Sequence, residues 1–466
     1  MTVRREIGLL DSAGYDGSLG NSERLARFLV QFGFDAATAS AKARMFAANA
    51  RALGDTDARR LHAYYVPGRI EVLGKHTDYA GGSTLIAAVE RALCLVAAAR
   101  DDDVVSITDT GRDVTAEFRI GQELVPLAGH WSNYPMTVAR RIARNFSGSA
   151  RGADIAFSCD IPSAAGISSS SAIVIAFFMA LADANDVWRH PDFPAELTDP
   201  VNLSGYMGTI ENGQSFGALA GDRGVGTFGG SGDHTAIFCS RAGHVLQYSY
   251  CPVRFRRAFP LPAGYLFAIA SSGVLADKTG SAQEKYNRAS RLASRVNELW
   301  RMATGRDDQN LAAALASGPD ARSTMREIVA RAAATDPEGD ALRRRLEHFI
   351  QENEEVIPAA GDALARRDIE SFGEWVARSQ RGAEELLGNQ VPETKFLAAA
   401  ARDCGAVTAS AFGGGFGGSV WALIDAARAE EFLGRWRERH LARFPEPAAR
   451  SEFFLTHAGR PMFRLV

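Results

Sequence analysis

VPGRIEVLGKHTDYAGG, residues 66–82, carries the decision about this chain. A short apolar run (Ile70, Val72, Leu73) is loaded with Arg69, Glu71, Lys75, His76, Asp78 and Tyr79, and it closes on Gly81-Gly82. The run from Val66 to Leu73 predicts a strand, and the Gly/Asp cluster after it predicts a turn. Polar side chains packed into such a corner are either the solvated face of an ordinary strand or the floor of a site, and the rest of the chain decides between the two.

At 466 residues the chain is long enough to bury a large core, expected to divide into two domains with the boundary near residue 250. It is 46% hydrophobic and 23% charged, with a net charge of −3. That balance gives no electrostatic case for nucleic acid or an anionic membrane. Five scattered cysteines (94, 159, 239, 251, 404), without CxxC spacing, argue against a disulfide framework or zinc site and fit a reducing cytoplasm. No apolar run reaches about 18 residues and no leader pattern is visible, so neither a membrane span nor secretion is expected.

Helical spacing marks residues 21–53, with Asn21/Ser22 as the cap, and most of 281–388. Residues 85–120 alternate as antiparallel strands, and SSSSAIVIAFFMALAD (168–183) reads as a buried helix. Residues 224–250 read as Gly-rich turns and strands, including AIFCS; a strand-turn-strand set with a helix at 426–441 follows near the end. The mixture is α+β.

Three further loops join the opening stretch. DIPSAAGISSSSAIVIAFF (160–178) brings small residues and serines to a helix start, where unpaired N–H groups suit a phosphate and hydroxyls suit Mg²⁺; an ordinary N-cap is the plainer reading. GTFGGSGDHTAIF (226–238) sets Asp233 after a Gly/Ser loop, as a cap or as a proton-accepting carboxylate. SAFGGGFGGSVWALI (410–424) is either a glycine-tolerant hairpin or an anion-binding concavity built on Gly413, Gly414 and Gly415. No GxxxxGK[ST] is present, which excludes a P-loop ATPase.

In this order and company the four segments resemble the GHMP kinase superfamily, within it the galactokinase-like branch. PGRIEVLGKHTDYAGG is similar to the signature P-G-R-x-N-[LIV]-I-G-E-H-x-D-Y-x-G-G, and IPSAAGISSSSA to P-x-G-x-G-L-S-S-S-A-A. GTFGGSGDH looks like the segment carrying that family's catalytic aspartate, and SAFGGGFGGSVWAL like its third motif. SSGVLADKTGSAQEKYNRASR (271–291) and FGEWVARSQRGAEELLGNQVPETKFL (372–397) also match, so the resemblance runs from about residue 60 to 425.

The resemblance implies a two-domain GHMP kinase fold. An N-terminal α/β domain with a ribosomal-protein-like βαβ core (1–250) and a C-terminal ferredoxin-like α+β domain (251–466) would flank a cleft. It implies transfer of the γ-phosphoryl of ATP to the anomeric hydroxyl of a sugar, with Mg²⁺. Asp233 and Arg69 would be catalytic; Lys75, His76, Asp78, Gly230 and Tyr286 would meet the sugar. Ala164, Ala165, Gly166, Ile167, Ser168, Ser169, Ser170 and Ser171 would hold ATP, with Ser170 on the metal and Ser169 as second choice. A cytoplasmic monomer or small homo-oligomer is expected, without nucleic-acid or membrane partners. Two other readings stay open: a catalytically silent sensor of sugar and ATP, and a kinase of a non-sugar alcohol.

Four positions depart from the pattern. Lys75 replaces a glutamate, Glu71 an asparagine, His234 a glutamine and Ala164 a glycine. A lysine accepts no hydrogen bond and adds positive charge. Lys75 therefore reads in three ways: facing an anionic substrate such as a uronic acid, paired with Glu71, or turned to solvent.

Overall fold

A computed structural model describes residues 13–54, 60–127, 129–276 and 283–466. Two near-continuous apolar runs, Leu61–Leu73 (β1) and Ser83–Ala99 (β2), pair antiparallel at the centre of the larger sheet. Residues buried on both faces are what such runs require. Their neighbours are β3 (Val104–Asp109), β4 (Val114–Arg119), β5 (Ala153–Cys159), β6 (His244–Ser249) and β7 (Arg254–Pro260). With the last strand, β12 (Phe463–Arg464), at one edge, the strand order is β12-β1-β2-β5-β3-β4, with β6 continuing from β2 and β7 beside it. β3 and β5 run parallel, which gives the βαβ element.

The second sheet is antiparallel and four-stranded, in the order β11-β8-β10-β9. It uses β8 (Tyr265–Ser271), β9 (Thr408–Phe412), β10 (Ser419–Asp425) and β11 (Phe453–Thr456). The last strand, β12 (Phe463–Arg464), returns to the first sheet and pairs with β1 at Tyr64 and Tyr65. The expected boundary at residue 250 therefore needs correction. It falls inside the β6–β7 hairpin, and the change of sheet comes at residues 261–264, because the cross-strand bonds of that hairpin hold β7 to the first sheet.

The helices of the first half are α1 (Ser22–Gln31), α2 (Ala36–Ala52), α3 (Asn133–Asn145), α4 (Ser169–Ala184), α5 (Pro200–Asn212) and α6 (Gly232–Cys239). Asn21 caps α1, as expected, and Asp35 caps α2. Those two helices close over the outer face of β1 and β2. α4 is apolar on nearly every side because it is enclosed: Val174, Ile175, Phe177, Phe178 and Leu181 are all fully buried. Truncating either phenylalanine to alanine would cost about 3–5 kcal/mol. AIFCS is not a strand; Ala236–Cys239 end α6, whose first turn holds Asp233.

The second half adds α7 (Gln283–Thr304), α8 (Leu311–Leu315), α9 (Ala321–Ala333), α10 (Gly339–Ile350), α11 (Ile357–Ala365), α12 (Ile369–Gly382), α13 (Pro392–Asp403) and α14 (Ala429–Arg443). α10 and α11 join through a π-helical stretch, Gln351–Val356, and a second one, Ala383–Leu387, follows α12. Widened turns of this kind re-aim side chains and cluster at functional sites. Here the first one sends Glu352 inward, where it is 1% exposed. Among the described residues, no helix is long and apolar enough to cross a membrane.

Candidate active site

Side chains alternate along a strand, so Ile70 and Val72 point into the core while Arg69 and Glu71 share the opposite face. Arg69 is 2% exposed. Its Nε and Nη2 both donate to Asp233 Oδ1, at 2.8 and 2.7 Å. Its Nη1 donates to the Gly166 carbonyl, and its backbone N–H to that of Ile167 at 3.2 Å. Burial alone would pull the guanidinium pKa down, but Asp233 and Glu71 beside it raise it above its ordinary value. Asp233 sits in the first turn of α6, where the helix dipole favours an acid. One arginine thus joins the opening strand, the serine loop and the aspartate segment, which lie far apart in sequence.

The serine loop turns sharply before α4. Ala164 (φ +49°), Gly166 (φ +73°) and Ser168 (φ +65°) all lie in the left-handed region. Alanine and serine there cost about 1–2 kcal/mol each, strain of the sort held at functional loops. The Ala164 carbonyl accepts from Ala276 N at 2.8 Å and that of Ala165 from Ser419 Oγ at 2.7 Å, which fixes the turn. Ser168 gives α4 no side-chain cap, so the helix start keeps its first-turn amides for a ligand.

Past that start, Ser171 Oγ donates to Glu211 Oε2 at 2.8 Å, and His234 Nε2 lies 3.1 Å from the same oxygen. Ser170, the expected metal ligand, is half-buried one residue earlier. Ser171, Glu211 and Asp233 line one small space together with Asp78, Gly230, His234 and Tyr286. Hydroxyl and carboxylate oxygens of this number suit Mg²⁺, which takes few protein ligands and completes its shell with phosphate and water. No group of three or more His, Cys, Asp and Glu side chains forms a metal cage among the described residues.

Glu211 was absent from the sequence expectations. Its signal was an acid in the last turn of an apolar helix, where the dipole disfavours it and only a partner justifies it.

Asp78 accepts from Tyr79 N at 2.9 Å and from Gly232 N at 3.0 Å. A Cβ on Gly230 would lie 2.5 Å from Asp78 Oδ2, so only glycine lets this loop pass the carboxylate. His76, at φ +56°, is 2.8 Å from Tyr79 Oη through Nδ1 and 3.0 Å from the Gly414 carbonyl through Nε2. Tyr286 packs on the His76 ring at 5.2 Å between centroids. The structure brings Arg69, His76, Asp78, Gly230, Asp233 and Tyr286 together. Residues 277–282 of the matched segment lie outside the described residues.

Lys75 goes elsewhere, and all three readings of it need correction. It is fully buried, so it does not face solvent. Its Nζ donates to Ser410 Oγ at 2.9 Å and Ser379 Oγ at 3.1 Å, on β9 and α12, away from the sugar space. It makes no ion pair with Glu71; Gly74, at φ +104°, swings the chain and separates them. Ser379 in turn donates to Glu352 Oε1 at 2.9 Å, and Gly74 N donates to the same oxygen at 2.8 Å. Burial lowers the Lys75 pKa, and Glu352, Glu71 and Glu384 oppose the shift.

The glycine loop departs from expectation at one of its residues. Gly413 N–H is given to Glu71 Oε2 at 2.9 Å, Phe416 N–H to the Asn389 carbonyl at 2.6 Å and Gly418 N–H to that of Val274 at 2.9 Å. Of the three glycines expected to form an anion cradle, Gly413 has its amide taken in these contacts. That glycine also serves close approach: a Cβ on it would lie 2.8 Å from the Gly166 carbonyl oxygen.

Three family models match along the chain: the galactokinase galactose-binding signature over residues 51–99, the GHMP kinases N terminal domain over 133–212 and the GHMP kinases C terminal over 362–441. The chain belongs to the GHMP kinase superfamily. Within it, the signature match places this GHMP kinase in the galactokinase-like branch.

The chain is 28% identical over 372 residues to a galactokinase of Chloroflexus aggregans, covering 79% of this chain and 85% of that protein. It is 24% identical over 368 residues to one of Actinobacillus pleuropneumoniae, covering 78% and 86%. The structure of Lactococcus lactis galactokinase complexed with galactose superposes with a TM-score of 0.72 at 21% identity, over 89% of this chain and 97% of that one. The two-domain GHMP kinase fold is thereby established for this molecule.

Proposed function

We propose that this GHMP kinase transfers the γ-phosphoryl group of ATP to the anomeric hydroxyl of a monosaccharide, giving a sugar 1-phosphate and ADP. The observation that carries this reading is the Arg69–Asp233 pair, held at 2.7–2.8 Å against the serine loop and sharing its space with Asp78 and Tyr286. The galactokinases it resembles point to galactose or a close relative as the acceptor.

Phosphoryl transfer needs positioning and charge neutralisation more than covalent help. Asp233, with Oδ1 pinned by Arg69, orients the anomeric hydroxyl and takes its proton as the bond to phosphorus forms. Arg69 then stands beside the charge that spreads over the transferring group. The amides at the start of α4 receive the phosphates. Mg²⁺, held by Glu211 with a serine hydroxyl at 170 or 171, would neutralise phosphate charge. Asp78 accepts from ring hydroxyls, as a carboxylate can from two neighbours at once. The space between Asp78, Glu211 and Asp233 is about 20 Å³, room for a water. It adjoins a larger cavity of about 320 Å³ that shares Asp78, Gly208, Asn212, Gly229 and Gly230 with it, room for a sugar.

A silent sensor is the weaker reading, because it has no use for a carboxylate pinned by arginine opposite a phosphate site. The test is ADP release from Mg·ATP against a panel of neutral sugars, uronic acids and simple alcohols. Sugar-dependent turnover that vanishes in Asp233→Asn supports the kinase. Sugar and ATP binding without turnover would favour the sensor.

A further inference from the structure

Glu71 is a carboxylate beside the Arg69–Asp233 pair that the proposed chemistry leaves unused. It follows Arg69 by two residues on β1 and shares its face, half-buried, while Ile70 and Val72 fill the core behind. Its Oε2 is fixed by Gly413 N–H at 2.9 Å. A Cβ on that glycine would lie 3.5 Å from Arg69 Nη2, so the carboxylate is anchored at the edge of the Arg69–Asp233 pair. Its Oε1 accepts no hydrogen bond, and the residue makes no ion pair, among the described residues. The cation that the motif sequence places four residues later, Lys75, is spent on Ser379 and Ser410 behind the cleft.

A carboxylate held in place by one oxygen and offering the other is a directional acceptor. It pulls in an O–H donor and repels an anion. The family pattern has its acidic residue at position 75, and here the acid stands at 71 with the base turned away, so the acceptor has changed its address within the same corner.

We propose that Glu71 determines substrate specificity by accepting a hydrogen bond from a sugar hydroxyl through Oε1, and that the substrate is uncharged at that end. A uronic acid or sugar phosphate would set its anion against Glu71, while the two cations near it are already engaged, Arg69 by Asp233 and Lys75 by Ser379 and Ser410. The proposal rests on the sugar-kinase reading.

The experiment measures binding by calorimetry and turnover by ADP release, for wild type, Glu71→Gln and Glu71→Ala. The ligands are galactose, its monodeoxy series and galacturonate. Wild type is expected to discriminate against one deoxy sugar by about ten- to hundredfold, as a hydrogen bond to a charged group implies. Glu71→Ala is expected to bind that deoxy sugar and its parent equally, with the KM for ATP unchanged. Glu71→Gln keeps an acceptor for Gly413 and is expected to admit galacturonate, which wild type rejects.

A purely structural Glu71 would lower all rates together and leave the deoxy discrimination intact, and that result overturns the proposal. So does turnover of galacturonate by wild type at the rate of galactose. Sugar binding without turnover in wild type overturns the kinase reading alone, since the binding arm still tests Glu71. Absence of any sugar binding overturns both.

Discussion

Restoring the family glutamate at position 75 would be the natural attempt to strengthen galactose binding, and the structure says it fails. Lys75 is fully buried and Glu352 is 1% exposed, and they meet through Ser379. Breaking one side of a buried charged network costs about 3–5 kcal/mol, because the remaining charge loses its compensation, whereas removing both sides is close to neutral.

Lys75→Met should therefore lose about 3–5 kcal/mol, and Lys75→Met with Glu352→Gln should recover most of it. The amide keeps an acceptor for Gly74 N and the Ser379 hydroxyl. Lys75→Glu should be worse than either, with two buried carboxylates around one serine. Unfolding entropy of about 2 cal/mol/K per residue gives roughly 1 kcal/mol per degree for a chain of 466 residues. The single substitution should then lower the thermal midpoint by about 3–5 °C if the chain melts as one unit. The assay is a double-mutant cycle by scanning calorimetry, run alongside galactose turnover. Losses that simply add in the double mutant would refute the network, and a well-folded Lys75→Glu with improved galactose turnover would refute the placement of Lys75.

Three further outcomes follow from the same geometry. Asp233→Asn should lower turnover by about 10²–10⁴ with sugar and ATP binding retained, as read by single-turnover rates and calorimetry; undiminished turnover would remove Asp233 from the chemistry. Glu211→Gln should raise the Mg²⁺ concentration for half-maximal turnover by roughly tenfold or more, checked by metal titration. Burial, eased by Arg69 and reinforced by Asp233, pushes Glu71 up to about 7 from an ordinary 4.5. Between those values the folded chain keeps a proton that the unfolded chain releases, so stability declines as pH rises through that window and levels off above it. Glu71→Gln lacks this loss: its melting advantage should be near zero at pH 4.5 and grow to at most about 3 kcal/mol above pH 7, and an advantage largest in acid would contradict the assignment.

Much of the site was legible because its chemistry needs specific residues at fixed offsets. Arg69 and Asp233 stand out since each sits within a motif, and the structure pairs them. The apolar run after the serines marked α4 as a buried helix, and periodicity marked the helices between residues 283 and 382, where the apolar stripe is long. Lys75 was not legible. Spacing along a strand places residues 71 and 75 on one side, but the pairing of β1 with β2 shifts register between Glu71 and Leu73, and Gly74 then turns the chain. The glycine loop was ambiguous for a different reason. Glycines that open amides to an anion and glycines that admit a neighbouring backbone look identical in sequence, and only Glu71 at Gly413 and the Gly166 carbonyl beside it tell them apart.

The return of β12 to β1 has a bearing on how the molecule is made. Arg69 rides on a strand whose outer neighbour, Phe463–Arg464, is synthesised almost four hundred residues later. Until that segment leaves the ribosome, the edge of β1 at Tyr64 and Tyr65 has no strand beside it. A ribosome-bound chain can close β1 on β2 and bury α4, yet its reaction centre stays unfinished, since Gly413 and β10 also arrive late. Catalytic competence thus waits on segments translated long after the strand that carries Arg69.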